Sequence, residues 1–167
     1  MIALQIEDIK VFMNKMFKDV TFDEFEVISM FISQIVTFTV EGALNTAFFD
    51  TDEQEAIGEQ KYIKWADLKQ TVMPLVKGNK TPTSMKIVFA ISQKSKLNIV
   101  LKSNTPFRPE DVHGFYLNLY YESNQLKVVT GTNYKLFSLD KSVEKYFDDS
   151  IIRFFNKHEI PVTKIET

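Results

Sequence analysis

Apolar side chains recur at Ile6, Ile9, Met13 and Met16, a spacing that lines one stripe of an α-helix. The stripe predicts a helix from about Ile6 to Lys18, with Glu7 and Asp8 in its first turn, where the helix dipole favours negative charge. Thr21 to Asp23 mark a turn. From Phe25 to Ile32 both alternating sets are largely apolar, so a strand covered on both faces is expected. Ile35 to Glu41 is a second strand, broken by Gly42, and Leu44 to Phe49 is expected to return as a third. Asp50 to Gln60 reads as an exposed acidic loop. A second helix begins near Trp65 and ends by Gly78, with Pro74 expected to kink it or stop it early.

Further along, Met85 to Ser92 is a strand. Leu97 to Leu101 fits a short strand or a helical turn equally, because five residues carry too little periodicity. Phe115, Leu117, Leu119 and Tyr121 alternate with Tyr116, Asn118 and Tyr120, a strand pattern. Ser123-Asn124 turns the chain into Leu126 to Thr130, Gly131 turns it again, and Tyr134 to Leu139 completes an expected three-stranded meander. Asp140 is placed as the cap of a last helix running to about Lys157, with Val143, Phe147, Ile151 and Phe154 on one stripe. Ile160 to Ile165 is a short final strand. Helices separated by runs of antiparallel strands define an α+β class.

The first helix has an echo. At a spacing of 59 positions Ile6 faces Trp65, Ile9 faces Leu68, Met13 faces Val72 and Met16 faces Leu75. A β-like run follows each stretch. The expectation is one domain over residues 1–167, holding a pseudo-repeat of 1–50 and 61–140 and a C-terminal helix appendage at 141–167.

Composition narrows the class without naming a chemistry. The chain of 167 residues is 44% hydrophobic and 25% charged, with 15 phenylalanines, enough to build a core without covalent staples. It has no cysteine, which excludes disulfides, thiol catalysis and cysteine-based zinc sites. There is no signal-peptide pattern at the start and no apolar run long enough for a membrane span. The expectation is a cytoplasmic protein with no membrane partner.

The formal net charge of −2 gives no general attraction to nucleic acid, but its distribution is uneven. Asp50, Asp52, Glu53, Glu55 and Glu59 cluster in one stretch. Lys61, Lys64, Lys69, Lys77 and Lys80 follow directly, against Asp67 alone. With Tyr116 and Tyr120 these lysines form the candidate surface for nucleic acid or a protein partner.

Two resemblances attach to particular segments. Val129-Thr130-Gly131-Thr132, Phe137-Ser138-Leu139-Asp140-Lys141-Ser142-Val143-Glu144 and Lys77-Gly78-Asn79-Lys80-Thr81-Pro82 resemble a small family of uncharacterised bacterial proteins of similar length. That resemblance implies no activity. The element order from Met1 to Asp140, two successive units of strand, helix and three strands, resembles a domain of the DNA sliding clamps. It implies antiparallel sheets with two packed helices lining a ring around duplex DNA. A ring of one-domain subunits would need about six copies. The first helix departs from that pattern, since its acids and lysines cancel, whereas a DNA-facing helix should be basic.

Individual candidates for chemistry have plainer explanations. His113 and His158 lack metal-ligand spacing and read as surface histidines. Adjacent Asp148 and Asp149 point in different directions on a helix. Asp50 to Glu55 lacks the ligand spacing of a calcium loop. Thr130 to Tyr134 has the hydroxyls and glycine of a ligand loop, but those residues also suit a turn. Lys77 to Thr81 follows a helix, where the dipole repels anions. Ser29, Ser92 and Ser103 lack nucleophile-elbow glycines. Tyr116, Tyr120 and Trp65 would make an aromatic binding surface if exposed, although a covered face fits the abundance of aromatics better. No catalytic, cofactor-binding or metal-binding residue is assigned and no cofactor is expected. The function expected is that of a non-catalytic intracellular binding or scaffold protein. The alternatives are a clamp-like protein associating with nucleic acid, or an enzyme with an unrecognised site.

Overall fold

A computed structural model describes residues 1–78 and 80–166. Asn79, inside the expected Lys77 to Thr81 turn, and Thr167, the end of the expected domain, lie outside the described residues. In chain order the elements are β1 (Ala3–Ile6), α1 (Ile9–Phe17), β2 (Glu26–Ser33), β3 (Thr37–Glu41), α2 (Thr51–Ile57), α3 (Trp65–Val76), β4 (Ser84–Ala90), α4 (Gln93–Lys102), β5 (Val112–Glu122), β6 (Gln125–Tyr134), α5 (Ser142–Lys157) and β7 (Val162–Ile165). The strands form one antiparallel sheet in the order β3-β2-β4-β5-β6-β1-β7. This is an α+β architecture in which strands from both ends of the chain share a single sheet.

One face of the sheet carries the core. Val27, Met30 and Ile32 of β2, Met85, Ile87 and Phe89 of β4, and Phe115, Leu117 and Leu119 of β5 meet the buried stripes of three helices. Those stripes are Phe12 and Met16 of α1, Trp65, Leu68 and Val72 of α3, and Val143, Phe147, Ile151 and Phe155 of α5. Phenylalanines do much of the filling: the Phe22 ring lies 5.2 Å from Phe12, 5.5 Å from Phe154 and 6.0 Å from Phe89, distances at which aromatic pairs attract beyond their area burial. Among the described residues the opposite face has no such layer. Tyr120 is 40% exposed there, as is Phe31, so the expected covering of the Tyr116–Asn118–Tyr120 face is absent.

Several expected elements differ. Ile6 ends a strand, and the first helix starts three residues later, because Asp8 is its N-cap and accepts from the Val11 N–H at 3.0 Å. β2 is covered on one face only: a bulge between Val27 and Ser29 shifts its phase, leaving Phe31 outward. Leu44 to Phe49 holds a short 3-10 helix, Thr46–Phe48, in place of a third strand. The acidic loop is largely α2, held by a capping box in which Asp50 and Glu53 exchange side-chain and main-chain hydrogen bonds at 2.8 Å.

Leu97 to Leu101 is helical, within α4, which Ser92 caps. The helix α3 runs through Pro74 and stops at Val76. Gly131 makes no turn. It sits within β6 opposite Tyr116, so the chain from Lys135 to Asp140 does not return as a third meander strand. Asp140 does not stand at the cap of α5; its carboxylate accepts from Ser142, and Lys141 holds the N-cap position without a side-chain capping bond. The Ser123-Asn124 turn is as expected, both residues adopting the left-handed backbone that a two-residue hairpin requires. Among the described residues no helix is long and apolar enough to cross a membrane.

Candidate functional site

The uncovered face of the sheet becomes concave at one end. There the register aligns Glu26 of β2, Ala90 of β4, Tyr116 of β5 and Gly131 of β6 in one cross-strand row. Two flanking segments raise walls above this row. The stretch Glu59 to Tyr62, between α2 and α3, is tied down by isolated bridges between Ala43 and Tyr62 and between Glu26 and Lys64. The first turns of α4 supply Gln93 and Lys96, and Lys135 beyond β6 closes the rim. The result is a cleft of about 730 Å³.

Glycine shapes its floor. A Cβ at Gly114 would lie 2.8 Å from the Tyr116 hydroxyl oxygen, so the Tyr116 ring occupies space that any other residue at 114 would claim. Burial raises the Tyr116 hydroxyl above an ordinary tyrosine pKa, and Tyr62 adds to the effect. The cleft thus has a half-buried phenol lying along its base and a second tyrosine in its wall.

Three ammonium groups from three separate segments line the same space: Lys61, Lys96 and Lys135. Lys96 donates from Nζ to the Val112 carbonyl at 3.1 Å. Burial first, then the charges of Lys135 and Lys61, hold its pKa below that of an ordinary lysine. Lys61 and Lys135 thus both lie within electrostatic reach of Lys96. Two carboxylates, Glu26 and Glu59, oppose them in the lining. Burial raises the Glu26 carboxyl pKa, and the charge of Lys64, which also pairs with Glu24 at 3.1 Å, offsets part of that rise. A site with converging lysines, amide side chains at Gln60 and Gln93 and two phenols is equipped to hold an anion by charge and hydrogen bonds. Among the described residues no group of three metal-ligating side chains comes together.

Of the seven residues expected to form a binding surface, the structure brings Lys61 and Tyr116 together in this cleft. Lys69 lies in a half-buried pair with Asp23 at 2.6 Å and also donates to the Asp19 carbonyl. Lys77 borders a separate small apolar groove of about 180 Å³ with Ile9, Met13 and Phe17. Lys80 is exposed. Tyr120 lies further along the open face, its ring under Lys86 at 5.4 Å. Trp65 is wholly buried and contributes to no surface. His113 is on the cleft rim.

Sequence reasoning missed Lys96, Lys135, Tyr62 and Glu26. No local signal marks these four; Gly114, within β5, marks only the close approach of Tyr116.

The model of a family of unknown function, DUF5721, matches residues 15–163. No curated protein and no solved structure matches the chain.

Proposed function

This chain belongs to that family, and on that footing we propose that it is a non-catalytic binding protein whose ligand site is the three-lysine cleft. The ligand is a small anion carrying phosphate or carboxylate groups, with a planar portion that rests against Tyr62 and Tyr116. The observation carrying this reading is the convergence of Lys61, Lys96 and Lys135 on one cleft above a tyrosine floor. Like charges held together on a protein surface repel, and an anion relieves that repulsion. An extended nucleic-acid surface has less support, because Lys64 and Lys69 already pair with Glu24 and Asp23.

The test is calorimetric titration with pyrophosphate, citrate and adenosine triphosphate as probes, on the native protein and on Lys96→Gln. Binding by at least one probe is expected, weakened roughly tenfold in the variant, the scale of one charged hydrogen bond. Absence of binding for all three at millimolar concentration, or equal affinity in Lys96→Gln, overturns the reading.

A further inference from the structure

The strand β3 is one edge of the sheet and β7 is the other, and the two edges are built differently. β7 has only four residues, follows Pro161 and carries Lys164, features that discourage pairing with another chain. β3 reads Thr37-Phe38-Thr39-Val40-Glu41, with no lysine and no proline. All its residues but Val40 are exposed, and the turn leading into it presents Ile35 fully exposed and Val36 57% exposed.

The hydrogen-bond phase of this edge is fixed at both ends. Gln34 N–H donates to the Val36 carbonyl at 2.9 Å, and Gly42 N–H donates to the Ile28 carbonyl at 2.9 Å. Since bonded pairs alternate along an antiparallel ladder, Val36, Phe38, Val40 and Gly42 face β2. Thr37, Thr39 and Glu41 therefore point their N–H and C=O groups outward, away from the sheet.

We propose that β3 pairs with β3 of a second copy about a twofold axis through Thr39, giving a homodimer with one continuous sheet of fourteen strands. In this register Thr39 meets Thr39 of the second copy, and Thr37 meets Glu41 of the second copy. All three outward-facing residues then gain main-chain partners. Phe38 lies opposite Val40 of the second copy, on the helix-bearing side, which extends the apolar row already formed by Phe38 and Ile32. The register also keeps the two Glu41 carboxylates apart, whereas a shift centred on Glu41 would set them face to face. Self-complementarity of this kind is what a twofold interface demands, and it selects a second copy over an unrelated strand. The inference is independent of the cleft, which lies over other strands.

Light scattering after size exclusion, across a concentration series of the full chain, tests it. The expected mass at high concentration is about twice 19.4 kDa. Thr39→Pro removes an outward N–H without touching the β2 ladder, and Thr39→Lys sets two like charges opposite each other at the axis. Both are expected to weaken dimerisation at least tenfold while the far-ultraviolet circular dichroism stays native. The lysine variant keeps the test decisive if the proline variant fails to fold. A monomer at every concentration, a mass near six copies, or a dimer that persists in Thr39→Lys overturns the proposal.

Discussion

The indole N–H of Trp65 donates to the main-chain carbonyl of Met16 at 2.7 Å, with both residues fully buried. This bond joins the first turn of α3 to the last turn of α1, and the same ring meets Phe17 and Phe89 edge-on at 5.3 and 5.4 Å. Trp65→Phe removes the donor and leaves a void where the larger ring was. A loss of about 2–4 kcal/mol in unfolding free energy is expected by urea denaturation.

A second buried contact lies under α5. Thr130 of β6 donates from its hydroxyl to the Asp148 carboxylate, and both side chains are buried. The same hydroxyl accepts from the Ile2 N–H at 2.9 Å, so it links β6, α5 and the start of the chain. Thr130→Val preserves shape but takes one of two partners from the Asp148 carboxylate, which keeps the Met1 ammonium at 2.8 Å, and leaves the Ile2 N–H without its acceptor; the expected cost is about 1–3 kcal/mol. Thr132→Val, two positions along, removes a buried hydroxyl without a partner among the described residues. It is expected to be neutral or slightly stabilising in the same assay.

Glu26 should make stability depend on pH. Burial raises its carboxyl pKa above the ordinary value of 4.5. Its contribution to stability is therefore fully present below that ordinary value and is lost as pH rises through the raised folded-state value. Glu26→Gln does not titrate. Melting temperatures followed from about pH 4 to about pH 8 are expected to show the variant gaining on the native protein as pH rises. A constant difference across the range would contradict this account.

Two glycines separate binding from folding. At Gly114 an added Cβ meets only the side chain of Tyr116, whereas at Gly42 it would sit 1.6 Å from the Val27 carbonyl oxygen. Gly114→Ala is expected to keep its melting temperature within a few degrees and to weaken anion binding by displacing the tyrosine floor. Gly42→Ala presses on main chain at the β2 bulge, and a loss of more than about 3 kcal/mol is expected. Thermal melts paired with titration distinguish the two effects.

Where the sequence was legible, one periodicity acted alone. The helix α5 and the strand β5 each bury one stripe, and each follows its pattern closely. Ile6 misled because an apolar residue at a strand end falls in phase with the helix stripe that follows. Gly131 misled because glycine favours turns, while here it sits within β6 opposite Tyr116, where even an added Cβ would meet the tyrosine at an ordinary 3.8 Å. The acidic stretch at Asp50 read as loop because α2 buries no side chain, so no stripe announces it. The cleft was the least legible part. Its three lysines come from segments far apart in the chain, and only the sheet register brings them together.

The helix α2 has a consequence for the cleft beside it. It has seven residues, no buried side chain and a positive-φ glycine at its end, so its caps must supply most of what anchors it. The chain passes from it directly into the Glu59–Tyr62 wall. Fraying of α2 therefore need not await loss of the phenylalanine core. Amide exchange in α2 should outpace that of the core helices, at a rate set by the Asp50–Glu53 capping box and not by global stability, while the Ala43–Tyr62 bridge and the Leu44 N–H bond to the Lys61 carbonyl hold the wall in place.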